Sequence, residues 1–240
     1  MSRILQAWPC LAREEVHVWR APLDLRRVGL ARLRDLLSTE ERALSLTFRF
    51  QWERDRFVAA RGWLRLLLGR YLCAPPGGLR FVIRANGKPA LAEPASEVRF
   101  NLALAGPLAL MAVCEGREVG MAVEPVSEDA SGPGARTRFT SVAGGAEPLP
   151  LAAERQDRAL LEDRARREAY HRARGWPSPA EVRRGPAPPS ALGEGGEAAW
   201  SFHAVDAGPG YTGALALEGT VRLVRHLDCD PRWLDGWPLD

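Results

Sequence analysis

The chain has 240 residues, 46% hydrophobic and 26% charged, which is the composition of a globular protein with ample length for one large domain or two small ones. Its 33 Lys+Arg against 30 Asp+Glu leave a net charge of +3, too balanced to argue for nucleic acid. No secretory signal or membrane-length apolar run is visible, so a cytoplasmic protein without a membrane partner is expected.

The basic residues are almost all Arg, and Lys88 is the only lysine; Arg holds its proton and makes a poor general base. Cys10, Cys73, Cys114 and Cys229 are scattered without metal-ligand spacing. Cys73 and Cys114 lie in apolar runs and read as buried free thiols.

In chain order, Val16 to Arg20 alternates like a strand. Ser38 followed by Glu41 is a capping-box pattern that opens a helix. Arg54 to Leu72 carries Phe57, Ala60, Leu64, Leu67, Leu68 and Tyr71 at helical spacing, and Pro75-Pro76-Gly77-Gly78 ends it. Leu79 to Ile83 reads as a strand, and Asn86-Gly87 as a tight hairpin turn. Val98 to Leu102, Leu108 to Val113 and Val119 to Val123 are apolar runs separated by Gly-containing turns, expected as adjacent strands of one buried sheet. Glu124 ends the last of them, and a charge at the end of a buried strand calls for a partner. The Gly/Ser/Pro-rich segment 129–150 and the Pro/Gly-rich segment 183–197 read as loops. Between them Ala152 to Arg174 reads as a charged helix with Leu160, Leu161, Ala165, Ala169 and Ala173 as its buried stripe. Trp200 to Val205 and Gly210 to Leu217 read as a closing hairpin.

The ordered set Phe100-Asn101-Leu102, Gly106, Val119-Gly120 and Glu124 resembles the core of the Sfp-type 4'-phosphopantetheinyl transferases. The Lys88-Pro89 turn, the Arg54-to-Leu72 helix, the Arg167-Glu168-Ala169-Tyr170 stretch and the last strand extend the resemblance from Val16 to Leu217. It implies an α+β fold of two pseudo-symmetric halves, each a small antiparallel-rich sheet packed on a long helix. A split near Glu115 gives an N-terminal half of 1–114 and a C-terminal half of 115–240. Arg138, Phe139 and Ser141 match the start of a family helix, with Gly144 where its Glu is expected.

The family moves phosphopantetheine from coenzyme A to a carrier-protein serine, with Mg²⁺ at the pyrophosphate. By resemblance, Glu124 and Glu168 match acids of the metal site and are the candidate catalytic or metal-holding residues. Arg61 and Lys88 match contacts to the coenzyme's nucleotide phosphate. Arg172 occupies a family lysine position, although an i, i+4 surface pair with Glu168 explains it as well. The frame is kept while its polar contents are lost: Ala103, Leu104 and Ala105 stand for Ser-His-Ser, and Ala122 stands for the first acid of the metal pair. Ala103, Leu104, Met121 and Ala122 are therefore expected to wall a partly apolar pocket, with Mg²⁺ a doubtful cofactor.

Three functions follow. The first is a repurposed relative with a degenerate active site, acting by cyclisation, elimination or isomerisation on acyl or peptidyl chains held by a carrier protein. Its setting would be polyketide or nonribosomal peptide secondary metabolism. The second is a still-active transferase using coenzyme A, and the third a non-catalytic scaffold that binds an acyl or peptidyl carrier protein. A monomer is expected.

Overall fold

The computed structural model describes residues 9–126, 158–175 and 199–235. The segments 129–150 and 183–197, read above as loops, and the matches at Arg138, Phe139 and Ser141 lie outside them.

The chain builds strand β1 (Glu15–Pro22), helices α1 (Arg27–Asp35), α2 (Thr39–Ser45) and α3 (Gln51–Leu72), then β2 (Arg80–Ile83) and β3 (Pro89–Glu93). Strands β4 (Val98–Ala105), β5 (Leu108–Glu115) and β6 (Val119–Pro125) follow, then α4 (Arg158–Arg174), β7 (Trp200–Val205), β8 (Tyr211–Glu218) and β9 (Leu223–Asp228). One sheet has the order β4-β5-β1-β9, with β9 parallel to β1 and the other pairs antiparallel. A second, antiparallel sheet has the order β6-β8-β7, and β2-β3 is a separate hairpin. The architecture is α+β.

Strand alternation turns these elements into four layers. Trp19, Phe100, Leu102, Met111 and Val113 face α3 and pack on Phe57, Trp63, Leu64 and Leu67. Their neighbours Val16, Val18, Ala103, Leu110 and Ala112 face the second sheet and meet Val119, Met121, Val123, Leu215 and Leu217. On the outer side of the second sheet, Ala122, Ala214 and Ala216 pack on Ala165, Ala169, Tyr170 and Ala173 of α4. The order is thus α3, first sheet, second sheet, α4.

Several local expectations need correction. The runs at Val98, Leu108 and Val119 do not share one sheet: β6 leaves at the Glu115-Gly116-Arg117 turn and pairs with β8. Cys73 is exposed, whereas Cys114 is buried, because Cys73 is the left-handed C-cap of α3 (φ 49°), past the packed face of the helix. Leu160 is exposed; the buried stripe of α4 runs through Leu161, Ala165, Glu168, Ala169, Arg172 and Ala173, and one helical residue is a turn of about 100° away from its neighbour. The segment after Leu217 supplies β9, and Cys229 and Leu234 join the core around α3, so the last part of the chain belongs to the first sheet, across any division at 114/115. No helix among the described residues is long and apolar enough to cross a membrane.

Candidate functional site

Glu124 and Glu168 are brought to the interface between β6 and α4. On β6 the residues facing α4 are Gly120, Ala122 and Glu124, two apart as the pleat requires. A Cβ at Gly120 would lie 2.0 Å from the Ala169 carbonyl oxygen and 2.3 Å from the Ala173 nitrogen, so glycine is what lets helix and strand backbones meet here. Glu124, 1% exposed, lies across from Thr212 of β8. Its Oε1 is 3.5 Å from Nε of Arg164, one turn up α4 from Glu168. Glu168 is itself buried, with Oε1 2.5 Å from Nη2 of Arg172. Two carboxylates are therefore held as ion pairs in a poorly solvated place, where an uncompensated charge would cost several kcal/mol.

Arg172 is not a surface residue. It is 7% exposed, and its Nη1 donates to the carbonyls of Leu102 and Met121, each at 3.3 Å. Those carbonyls belong to β4 and β6, the outermost strands of the two sheets. The open edge of β6 is closed by three side chains. Lys88 Nζ donates to the Val119 carbonyl (2.9 Å), the Met121 N–H donates to Asn101 Oδ1 (2.9 Å), and Arg172 donates to the Met121 carbonyl. Edge groups buried without such partners would be costly.

Lys88 is 2% exposed and uses three donors internally: Glu118 Oε2 at 2.5 Å, Val119 O at 2.9 Å and Ala173 O at 3.0 Å. The last bond, with Asn86 Nδ2 donating to Arg174 O at 2.8 Å, caps the C-terminal end of α4. Burial pushes the Lys88 amine below its ordinary value, against the pull of Glu118. For Glu118, burial pushes the other way, and bonds from Lys88 and Arg84 outweigh it, holding the carboxyl below its ordinary range. Ammonium and carboxylate thus sit as a pair at the junction of hairpin, β6 and α4.

Arg61 lies elsewhere, on α3. Its guanidinium pairs with Glu41, with Nε 2.8 Å from Oε1, and stacks 4.7 Å from the Phe81 ring. Arg65 reaches the other oxygen of Glu41 at 2.6 Å and the carbonyls of Pro76 and Leu79. Glu41 also closes the capping box with Ser38. Burial opposes ionisation of Glu41, but the two arginines overcome it and keep its carboxyl below the ordinary range. Arg61 Nη1 is buried without a hydrogen-bond partner. These groups, with Arg42 and Arg80, border an open cleft of about 1100 Å³ between α2, α3 and the β2-β3 hairpin.

The four residues expected to wall one pocket are divided among three layers. Leu104 packs on the α3 side, Ala103 and Met121 lie between the sheets, and Ala122 faces α4. Strand alternation is the reason: adjacent residues on one strand point to opposite faces. Sequence reading also passed over Glu118, Glu41 as an ion-pair partner, Arg65, and Arg164 as the partner of Glu124. The i, i+4 spacing of Arg61 and Arg65 was a usable signal for the second and third; nothing local marked Glu118.

Over 116 residues the chain is 41% identical to the 4'-phosphopantetheinyl transferase HetI of Nostoc sp., a match covering 48% of this chain and 49% of that protein. Over 107 residues it is 33% identical to slr0495 of Synechocystis sp., whose name assigns it provisionally to the same activity, covering 43% and 42%. The chain therefore spans about half the length of the curated relatives it matches. No protein-family model matches it. With these two matches and its α+β fold, the chain is similar to 4'-phosphopantetheinyl transferases over about half its length.

Proposed function

We propose that this protein is a repurposed relative of the 4'-phosphopantetheinyl transferases that acts on acyl or peptidyl chains attached to the phosphopantetheine arm of a carrier protein. The observation that carries this reading is the state of the two acids. Glu124 and Glu168 each face an arginine, and the position of the family's first acid is Ala122, packed among Ala165, Ala169 and Tyr170. Pairing with a guanidinium favours the anionic form of a carboxylate. Glu124 or Glu168, weakened as a base by that pairing but placed beside the site, is the group that would accept a proton from a bound chain, with Arg164 or Arg172 balancing the charge that develops, as an elimination, isomerisation or cyclisation requires. The carrier protein, the biosynthetic setting and these residue roles are parts of the same proposal.

A second reading, phosphopantetheine transfer from coenzyme A, is favoured by one feature. The cleft is lined by Arg42, Arg61, Arg65 and Arg80 alongside Asp35, Glu40, Glu41 and Glu93, and Arg61 Nη1, buried without a hydrogen-bond partner, is a donor that a phosphate oxygen could take up. Intact-mass spectrometry separates the two. Apo carrier proteins incubated with the protein, coenzyme A and Mg²⁺ are expected to keep their mass, while an established transferase modifies them in parallel. Carriers loaded with acyl chains are expected to yield a new product that Glu124→Gln or Glu168→Gln abolishes. Gain of the phosphopantetheine mass, lost in Glu168→Gln, would establish the second reading instead.

A further inference from the structure

The family's fold implies a divalent cation between the acids of β6 and α4, and the residues present do not fit one. Mg²⁺ asks for near-octahedral oxygen ligation at about 2.0–2.1 Å, with anionic oxygens supplying most of the binding. Here Arg172 lies 2.5 Å from Glu168 Oε1 and Arg164 lies 3.5 Å from Glu124 Oε1. The third carboxylate position is Ala122, 0% exposed in an apolar cluster. A guanidinium cannot lose its proton to relieve repulsion from an incoming dication. Nor can Arg172 readily swing aside, because Leu102 O and Met121 O hold it at the edges of both sheets. Among the described residues, no group of three or more His, Cys, Asp or Glu is assembled for a metal.

We propose that Arg164 and Arg172 take the place of the divalent cation in this site, so that a phosphate-bearing ligand is held here without metal. Arg172, buried and bonded on several sides, is the fixed charge. Arg164, 30% exposed, is the one with access to a ligand. Delocalised guanidinium charge suits phosphate oxygens through paired N–H donors. The part of the proposal that concerns a phosphate-bearing ligand rests on the function proposed above; the part that concerns metal does not.

The metal part is tested on the full chain by Mn²⁺ titration, reading free aqueous Mn²⁺ by electron paramagnetic resonance. Wild type is expected to leave the signal undiminished up to millimolar Mn²⁺. The Ala122→Asp/Arg164→Gln/Arg172→Gln variant, checked for folding by near-ultraviolet circular dichroism, is expected to take up one equivalent. Uptake of one Mn²⁺ by wild type, removed by Glu124→Gln, overturns the proposal, as does a folded triple variant that binds no more than wild type. Should the triple variant fail to fold, Arg164→Gln/Arg172→Gln is expected to take up Mn²⁺ where wild type takes up none, and equal behaviour overturns the proposal. The ligand part is read by calorimetry with coenzyme A. Affinity is expected to agree within twofold in EDTA and in Mg²⁺, and to weaken at least tenfold in Arg164→Gln. A tenfold gain with Mg²⁺ overturns it. Absence of coenzyme A binding in both buffers refutes the ligand part, while the Mn²⁺ titration still decides the metal.

Discussion

Lys88 shows how a residue type can be legible while its role is not. Its Gly-Lys-Pro context points to a phosphate contact, yet its ammonium is enclosed by Glu118, Val119 and Ala173. Because it is the only lysine, an amine-acylating reagent followed by intact-mass measurement reads it directly. The native protein is expected to gain one acyl group, at the α-amine, and the unfolded protein two; rapid double labelling of native protein would show an accessible Lys88. Lys88→Met is expected to cost about 2–4 kcal/mol in denaturant unfolding, since it strips the Val119 and Ala173 carbonyls of their buried donor and leaves Glu118 to Arg84 and Arg99. A phosphate-contact role alone would leave stability unchanged.

His17 is a second buried polar group, bonded through both ring nitrogens. The Trp19 indole N–H donates to Tyr71 OH at 2.7 Å, Tyr71 OH shares a 2.6 Å hydrogen bond with His17 Nδ1, and His17 Nε2 lies 3.3 Å from Glu15 Oε2. Burial lowers the His17 pKa below 6.5, only partly offset by Glu15, while Arg225 pushes the same way as burial. The unfolded chain therefore binds the proton more readily. The corresponding stability is present above pH 6.5 and lost as pH falls through the folded-state value. Melting temperature is expected to drop between about pH 7 and pH 5, with a shallower slope in His17→Gln; identical slopes would remove His17 as the cause.

At the scale of elements, the contact of β6 with α4 turns on Gly120. Any side chain there meets the α4 backbone, since its Cβ would come within 2.0 Å of the nearest atom. Gly120→Ala is expected to destabilise by about 3 kcal/mol or more, because rigid backbone rather than a flexible side chain must give way. It should also disturb the Glu124 and Glu168 pairs more than a distant variant of equal stability does. Thermal unfolding and ligand binding measured together would show whether the two effects travel as one. The helical run of α3 and the capping box of α2 were readable from the sequence, as was the β7-β8 hairpin, but α3 is buried all round from Arg56 to Gly69 rather than amphipathic. Sheet membership was not: β6 follows β5 by one short turn, and only its pairing with β8 and its side-chain-capped edge place it in the other layer.

At the scale of the whole molecule, the last described segment closes the first sheet. β9 pairs in parallel with β1, covering what would otherwise be an open edge, and Leu234 (3% exposed) packs into the core around α3. Leu234→Ala is expected to cost about 2–5 kcal/mol in denaturant unfolding. Truncation after Thr220 is expected to expose the β1 edge and produce aggregation in size-exclusion chromatography. A truncated chain that stays soluble with an unchanged melting temperature would show β9 to be dispensable.

What the sequence by itself determined was local and periodic: helix and strand runs, the hairpin turn, the cap at Ser38, and an ordered motif set that resembles the phosphopantetheinyl transferases and their α+β fold. These follow from side-chain spacing and turn chemistry, which act over a few residues. Only the tertiary structure decided which charges meet. Glu124 with Arg164, Lys88 with Glu118, and Arg61 with Glu41 are separated by 20 or more residues. Burial makes each such charge costly without a counter-ion, and the folded layers alone determine which one is within reach.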